Sequence, residues 1–302
     1  MVRCTPMLST HGMGHGDASM DWIRWMLYAA HTSMRRIPVR AWVGLALLGG
    51  LGALSLLAGR VFPHVLAGTC PLGRDPSHPD RTVCELAFGG LWISLAIGLA
   101  AGALSTGIGL LVAALARLAG GTLERWVMRL ADAFFALPDV LVVMVLQLAG
   151  QSLLDAGSSA GLGPFGLMVV SLALVGWAGP ARMFRNRLDT LEGQEFVAAS
   201  RALGGSGVHV LRIHLWPALR PFVLAVFLSR LPAAILAEST VSFFGIARME
   251  PMSLGRYLGT SYAALIYEGG SRVVIPAWLL LVLLVLGASL ASQALAPRPR
   301  RA

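Results

Sequence analysis

Glu195-Phe-Val-Ala-Ala-Ser-Arg-Ala-Leu-Gly204, then Gly205-Ser-Gly-Val-His209, closing on His214-Leu-Trp-Pro217, is a polar, arginine-bearing stretch set in an otherwise apolar chain. Phe196, Ala199, Ser200 and Leu203 recur at i, i+3, i+4 and i+7, which predicts one face of a short helix. Gly204-Gly205 ends that helix, because glycine enters φ > 0 without steric cost. Ser206 is placed to cap a further helical turn before Pro217. A short amphipathic helix between apolar segments needs a cover for its apolar face. The spacing therefore points to a second protein on the same side of the chain's apolar body.

Composition sets what that body is. The chain has 302 residues, of which 56% are apolar and 13% charged, and its mean hydropathy is +0.71. Soluble domains carry roughly 25% charged residues. A chain this apolar is predicted to be an all-α membrane protein. The net charge of +9 is a poor argument for nucleic acid, because most arginines fall in segments that alternate to one side of the membrane. All 24 basic residues are arginine. The absence of lysine excludes a Walker A nucleotide site and Schiff-base chemistry. Any ATP-driven work must be done by another chain.

A bilayer core needs about 20 apolar residues as helix. Runs at 41–59, 86–116, 130–153, 163–181, 221–244 and 273–295 meet this, predicting six transmembrane helices with both termini on the cytoplasmic side. Residues 1–40 read as a cytosolic tail without a cleavable signal, residues 41–298 as the membrane domain and 299–302 as a second tail. Gly98 and Gly102 form a small-xxx-small face for close helix contact. Pro138 marks a kink in the third run. The segment 182–220 is the large cytoplasmic loop, and 61–85 and 247–272 are outer segments. Cys70 and Cys84 share one outer segment, where a disulfide and two free thiols are both compatible with the spacing. His11, Met13, His15 and Asp17 crowd the tail, which reads more readily as flexible chain than as a metal site.

Charged groups inside a span face a partner or a water-filled path. Asp132 reads as a helix-end ion pair near Arg129, and Asp139 as a polar group beside the Pro138 kink. Arg230 and Glu238, two turns apart, share a face and either pair or line a path. Arg182, Arg185 and Arg187 read as positive-inside anchors, whereas Arg201, inside the short helix, has the better claim to a partner contact. Gly204-Gly-Ser206-Gly207 spells a serine-protease string, but it lies in a polar loop and no histidine follows His214.

The string Trp177-Ala-Gly-Pro-Ala-Arg182, Arg185, Leu188, Leu191, Glu195-Phe-Val, Ala199, Arg201-Ala-Leu-Gly204 and Pro217 resembles the inner-membrane permease subunits of binding-protein-dependent ABC importers, in the dipeptide/oligopeptide/nickel branch. Supporting matches are Gly68-Thr-Cys-Pro-Leu-Gly-Arg-Asp75, Met128-Arg-Leu-Ala-Asp132 with Ala136-Leu-Pro138, Ile235-Leu-Ala-Glu238 with Ser242-Phe-Phe-Gly245, and Ala296-Pro-Arg298. They cover roughly residues 40–298. The chain departs from the family at Ala198-Ala199-Ser200, where Glu-Ala-Ala is usual, and at His214, Trp216, Cys70, Trp92 and Leu254.

The resemblance implies a type I importer permease fold with a cytoplasmic coupling helix. Its docking residues would be Glu195, Phe196, Ala198, Ala199, Ser200, Arg201, Leu203, Gly204 and Pro217. Asp139, Arg230 and Glu238 are the candidates for a translocation path. The implied partners are a second, homologous permease subunit, two ATP-binding subunits that hold ATP and Mg, an extracytoplasmic solute-binding protein and membrane lipid. No cofactor, metal or nucleic acid is expected on this chain, which would not itself be an enzyme. The implied location is a bacterial plasma membrane and the implied cargo di- or oligopeptides, with nickel or a metal chelate as the runner-up. A secondary transporter is the alternative from another class; it is disfavoured by the absence of paired halves.

Overall fold

Residues 39–57, 70–76, 78–155, 163–247, 250–266 and 270–295 are those described by the computed structural model. The two tails, with the histidine cluster and Ala296-Pro-Arg298, lie outside them. The apolar runs become helices, since a backbone in lipid must satisfy its own hydrogen bonds. They are α1 (Val39–Leu56), α2 (Val83–Ala119), α3 (Gly121–Ala136), α4 (Asp139–Asp155), α5 (Pro164–Gly176), α6 (Ala178–Glu192), α7 (Glu195–Ala202), α8 (Gly207–Val210), α9 (Trp216–Phe243), α10 (Leu254–Ser261) and α11 (Ser271–Leu295). Leu211–Leu215 is a wide π turn between α8 and α9, and Tyr262–Ile266 is a 3-10 turn after α10.

Among the described residues three helices are long and apolar enough to cross a membrane: α2, the rod Gly207–Phe243 that ends in α9, and α11. Two bent pairs raise the number to five if each counts as one span, and α1 adds a shorter apolar helix. The bent pairs correct two sequence expectations. The run 130–153 is broken rather than kinked: α3 and α4 meet at 90°. Pro138 lacks an N–H and forces Leu137 into an extended conformation (φ −79°, ψ 142°), so the helix cannot continue through it. The run 163–181 bends by 45° at Trp177 and continues to Glu192, so much of the expected loop is helix.

Pro217 likewise fails to end a helix. The π turn brings the Trp216 N–H to the Leu211 carbonyl. This widening lies where an α-helix would press the Ile213 carbonyl against the proline ring. The chain is also not wholly helical. β1 (Arg74–Asp75) and β2 (His78–Thr82) pair antiparallel just before α2. Cys70 and Cys84 are joined as a disulfide across this ribbon. The Thr82 hydroxyl then accepts from the Glu85 N–H and caps α2.

α2 is the mast of the fold. Its first half packs with α9, α10 and α11 around Leu91, Leu95, Leu231, Ile235, Leu254 and Tyr257. Its middle packs with α4, α5 and α9 around Ile97, Val143, Met168 and Leu172. Its end packs Ala113 with Phe184, Leu188, Val197, Leu215 and Leu219. Gly98 and Gly102 do meet α9: a Cβ at Gly98 would stand 2.5 Å from Ile235, and one at Gly102 3.4 Å from Leu231. α1 rests on α11, where Gly287 faces Leu47 and Leu48.

Candidate functional site

α7 forms as the residue spacing predicts and ends as predicted. Gly204, at φ 85°, is its left-handed cap residue. The Gly205 N–H donates to the Ser200 carbonyl and the Gly204 N–H to the Arg201 carbonyl, which closes the last turn. The Ser206 hydroxyl then accepts from the His209 N–H and opens α8.

Val197 is the residue that holds α7 down. It is fully buried in the core formed by α2, α6 and α9. Phe196, a position earlier, is 44% exposed, and Leu203 is 90% exposed. Glu195, Ala198 and Ala199 are exposed too, and Ser200 is half-buried. Between this face and α8 runs an open groove of about 650 Å³, lined by Phe196, Ser200, Leu203, Ser206, His209 and His214. The ring of His214 stands 6.0 Å from Phe196 and 6.3 Å from His209. The apolar face inferred from the spacing is thus left uncovered by the described residues. Val197 was overlooked because it lies off the predicted face, pointing home.

An ionic web fixes this helix to the spans. Arg117, at the end of α2, donates from Nε and Nη2 to Glu192 at 2.9 and 2.6 Å. The same guanidinium reaches Glu124 of α3 at 3.3 Å and Asp189 at 3.5 Å. Arg185 donates to Glu124 at 3.0 Å. Arg201 of α7 donates to Glu192 at 2.8 Å. Arg201, on the Val197 side of α7, thus has one partner within its own chain, while 52% of its side chain stays exposed. Glu192, past the apolar part of its helix pair, is held below the usual carboxylate range, first by the Arg117 hydrogen bonds, against the effect of burial, and then by Arg201. The other anchors are paired as well: Arg182 lies 3.2 Å from Asp132, and Arg187 sits over the Phe222 ring at 5.8 Å. Asp132 thus takes Arg182 rather than Arg129.

The intramembrane charges separate. Arg230 and Asp139 line one small cavity of about 20 Å³ with Ser105 and Gly176. The Arg230 Nε has no hydrogen-bond partner among the described residues. Glu238 is elsewhere, fully buried, accepting from Ser94 at 2.9 Å, Ser242 at 2.7 Å and Ser239 at 3.2 Å. Ser94 in turn accepts from the Leu254 N–H, so this carboxylate ties α2 and α9 to the start of α10. The shared face predicted for Arg230 and Glu238 does not hold, because eight residues rotate a helix about 80° past two full turns. Among the described residues no group of three or more metal-ligating side chains converges.

Fold and site define a polytopic helical membrane protein with an uncovered amphipathic helix pinned to the end of its central helix. The chain belongs to the binding-protein-dependent transport system inner membrane component family, whose model matches residues 105–301. It is 30% identical over 187 residues to the dipeptide transport system permease protein DppC of Bacillus subtilis, covering 62% of this chain and 52% of that one. It is 29% identical over 210 residues to the oligopeptide transport system permease protein OppC of Haemophilus influenzae, covering 69% and 61%. Against OppC of Escherichia coli it is 30% identical over 210 residues, covering 69% and 63%. The chain thus spans about half to three-fifths of the length of these relatives.

Proposed function

We propose that the chain is a permease subunit of an ATP-driven, binding-protein-dependent importer, and that α7 is the lever on which an ATP-binding subunit acts. The uncovered Phe196–Leu203 face beside an open groove carries this reading. A helix anchored by one buried valine and one arginine, with its apolar face turned out, suits a cleft on another protein. Closure of two ATP-binding subunits would draw α7 with it. The Arg117–Glu192–Arg201 web would pass that displacement to α2, α3 and α6. ATP and Mg would reside on the partners, since the chain has no lysine for a phosphate loop.

The full assembly would hold two homologous permease chains, two ATP-binding subunits and a solute-binding protein on the outer side. α1, α2, α4, α5–α6, α9 and α11 would supply six spans, with both termini and α7 cytoplasmic and the β1–β2 ribbon outside. Peptides are the proposed cargo, on the names of the relatives. Arg230 and Asp139 are proposed to flank the path, because charged groups inside a span are expensive unless they face a partner or a water-filled route. The direct test is co-purification of the tagged chain. Stoichiometric ATP-binding subunits are expected with the wild type and are lost with Leu203→Asp at unchanged membrane insertion. Equal recovery with both proteins contradicts α7 as the docking element.

A further inference from the structure

α3 carries a face that the docking site does not use. Glu124, Met128 and Ala131 point into the protein, with Glu124 held by Arg117 and Arg185. Leu123, Trp126 and Leu130 lie together on an outer face, with Trp126 62% exposed. Leu137, just past the end of the helix, is also exposed. Arg125 and Arg129 are exposed along the stripe's edge, and the Arg129 guanidinium sits over the Trp126 ring at 5.5 Å. Asp132, on the same polar side, is neutralised by Arg182.

Connectivity fixes the depth of this helix. α2 leaves its uncharged run at Arg117, and the positive-φ pair Gly120 and Gly121 turns the chain directly into α3. α4 starts only two residues after α3 and runs at 90° to it. A helix that joins two spans on one side, perpendicular to the second, lies along the membrane face over about 24 Å. Leu111, Leu115 and Leu118 are likewise exposed on the last turns of α2.

We propose that α3 is an interfacial helix whose occupant is anionic lipid: Leu123, Trp126 and Leu130 enter the acyl boundary while Arg125 and Arg129 meet the headgroups. The order of features is the one that suits a lipid surface, an apolar face bordered by arginine with a tryptophan at the polar edge. A protein partner would have to cover the stripe and also neutralise both arginines. Because Glu124 belongs to the web that holds α7, lipid charge would bear on the docking site through α3. The inference rests on α2 and α4 as spans and not on what docks at α7.

The test uses the intact transporter in nanodiscs, with Cys4→Ser and the Cys70–Cys84 bridge kept. Spin labels are placed at Leu130→Cys and at Arg125→Cys. The Leu130 label should relax faster with oxygen than with an aqueous nickel chelate, and the Arg125 label should show the reverse. A Leu130 label reached best by the chelate, or shielded from both because protein covers it, overturns the proposal. The headgroup contact is read separately, by titrating phosphatidylglycerol into phosphatidylcholine and following ATP turnover. Each arginine near an anionic surface is worth roughly fivefold in binding. Arg125→Gln with Arg129→Gln should therefore need several-fold more phosphatidylglycerol for half the effect. An identical lipid response in both proteins, no response included, overturns the contact. Normal co-purification of ATP-binding subunits alongside either failure leaves the docking role of α7 standing.

Discussion

Leu203 is 90% exposed, and the described residues offer almost no packing to repay that exposure. Burying a leucine is worth about 1.5–3 kcal/mol. Leu203→Ser should weaken capture of the ATP-binding subunit by roughly tenfold to a hundredfold, leaving the thermal stability of the isolated chain unchanged; binding to detergent-purified permease measures this. Glu192 governs the other side of α7. Its folded pKa is depressed, so its stabilisation is complete above the ordinary carboxylate value and is lost as pH falls through the lower folded value. Protection of the α7 amides, exchange being corrected for its intrinsic pH dependence, should fall in that acid range for the wild type. Glu192→Gln should exchange fast at neutral pH already and show no acid step. Phe196 and Leu203 were legible in the sequence because periodicity along a short helix is local. The Arg117–Glu192 pair was not, since 75 residues separate the two and only packing of α2 against α6 brings them together.

The short elements depend on single backbone positions. Gly204 stands at φ 85° in the turn that ends α7. A β-branched residue there costs about 1–2 kcal/mol in the left-handed region. Gly204→Val should therefore loosen the α7–α8 corner and lower the substrate transported per ATP hydrolysed, at normal assembly. Reconstituted uptake measured against phosphate release checks that ratio. Between α2 and α9, Gly98 is a packing position. Gly98→Val presses on Ile235 and should cost about 1–3 kcal/mol by overpacking. Lower yield of folded chain, partly restored by Ile235→Ala, is the expected result. At this scale Pro138 shows how far sequence reasoning reached. A proline announces a break, but its angle depends on what the freed segment packs against. Here the ion pairs of Glu124 and Asp132 to Arg185 and Arg182 lay α3 against α6, at 90° to α4.

At the scale of the molecule, α2 joins three cores in series, from the disulfide-tied ribbon at one end to the α7 corner at the other. A displacement applied at α7 enters this mast through Arg117, its last basic residue. The serine-caged Glu238 fastens α10 to the same mast at the opposite end. The helical membrane class was readable from composition. The bend at Trp177 was not, because that residue looks like part of an uninterrupted apolar run until packing decides the bend. The most direct measurement on the proposed lever is a crosslink from α7 in the purified, intact assembly. A photoreactive group at Phe196 should attach to the ATP-binding subunit, and membrane-impermeant reagents should reach it only from the cytoplasmic face. Labelling of that position from the outside, or crosslinks to every component except an ATP-binding subunit, would contradict the account.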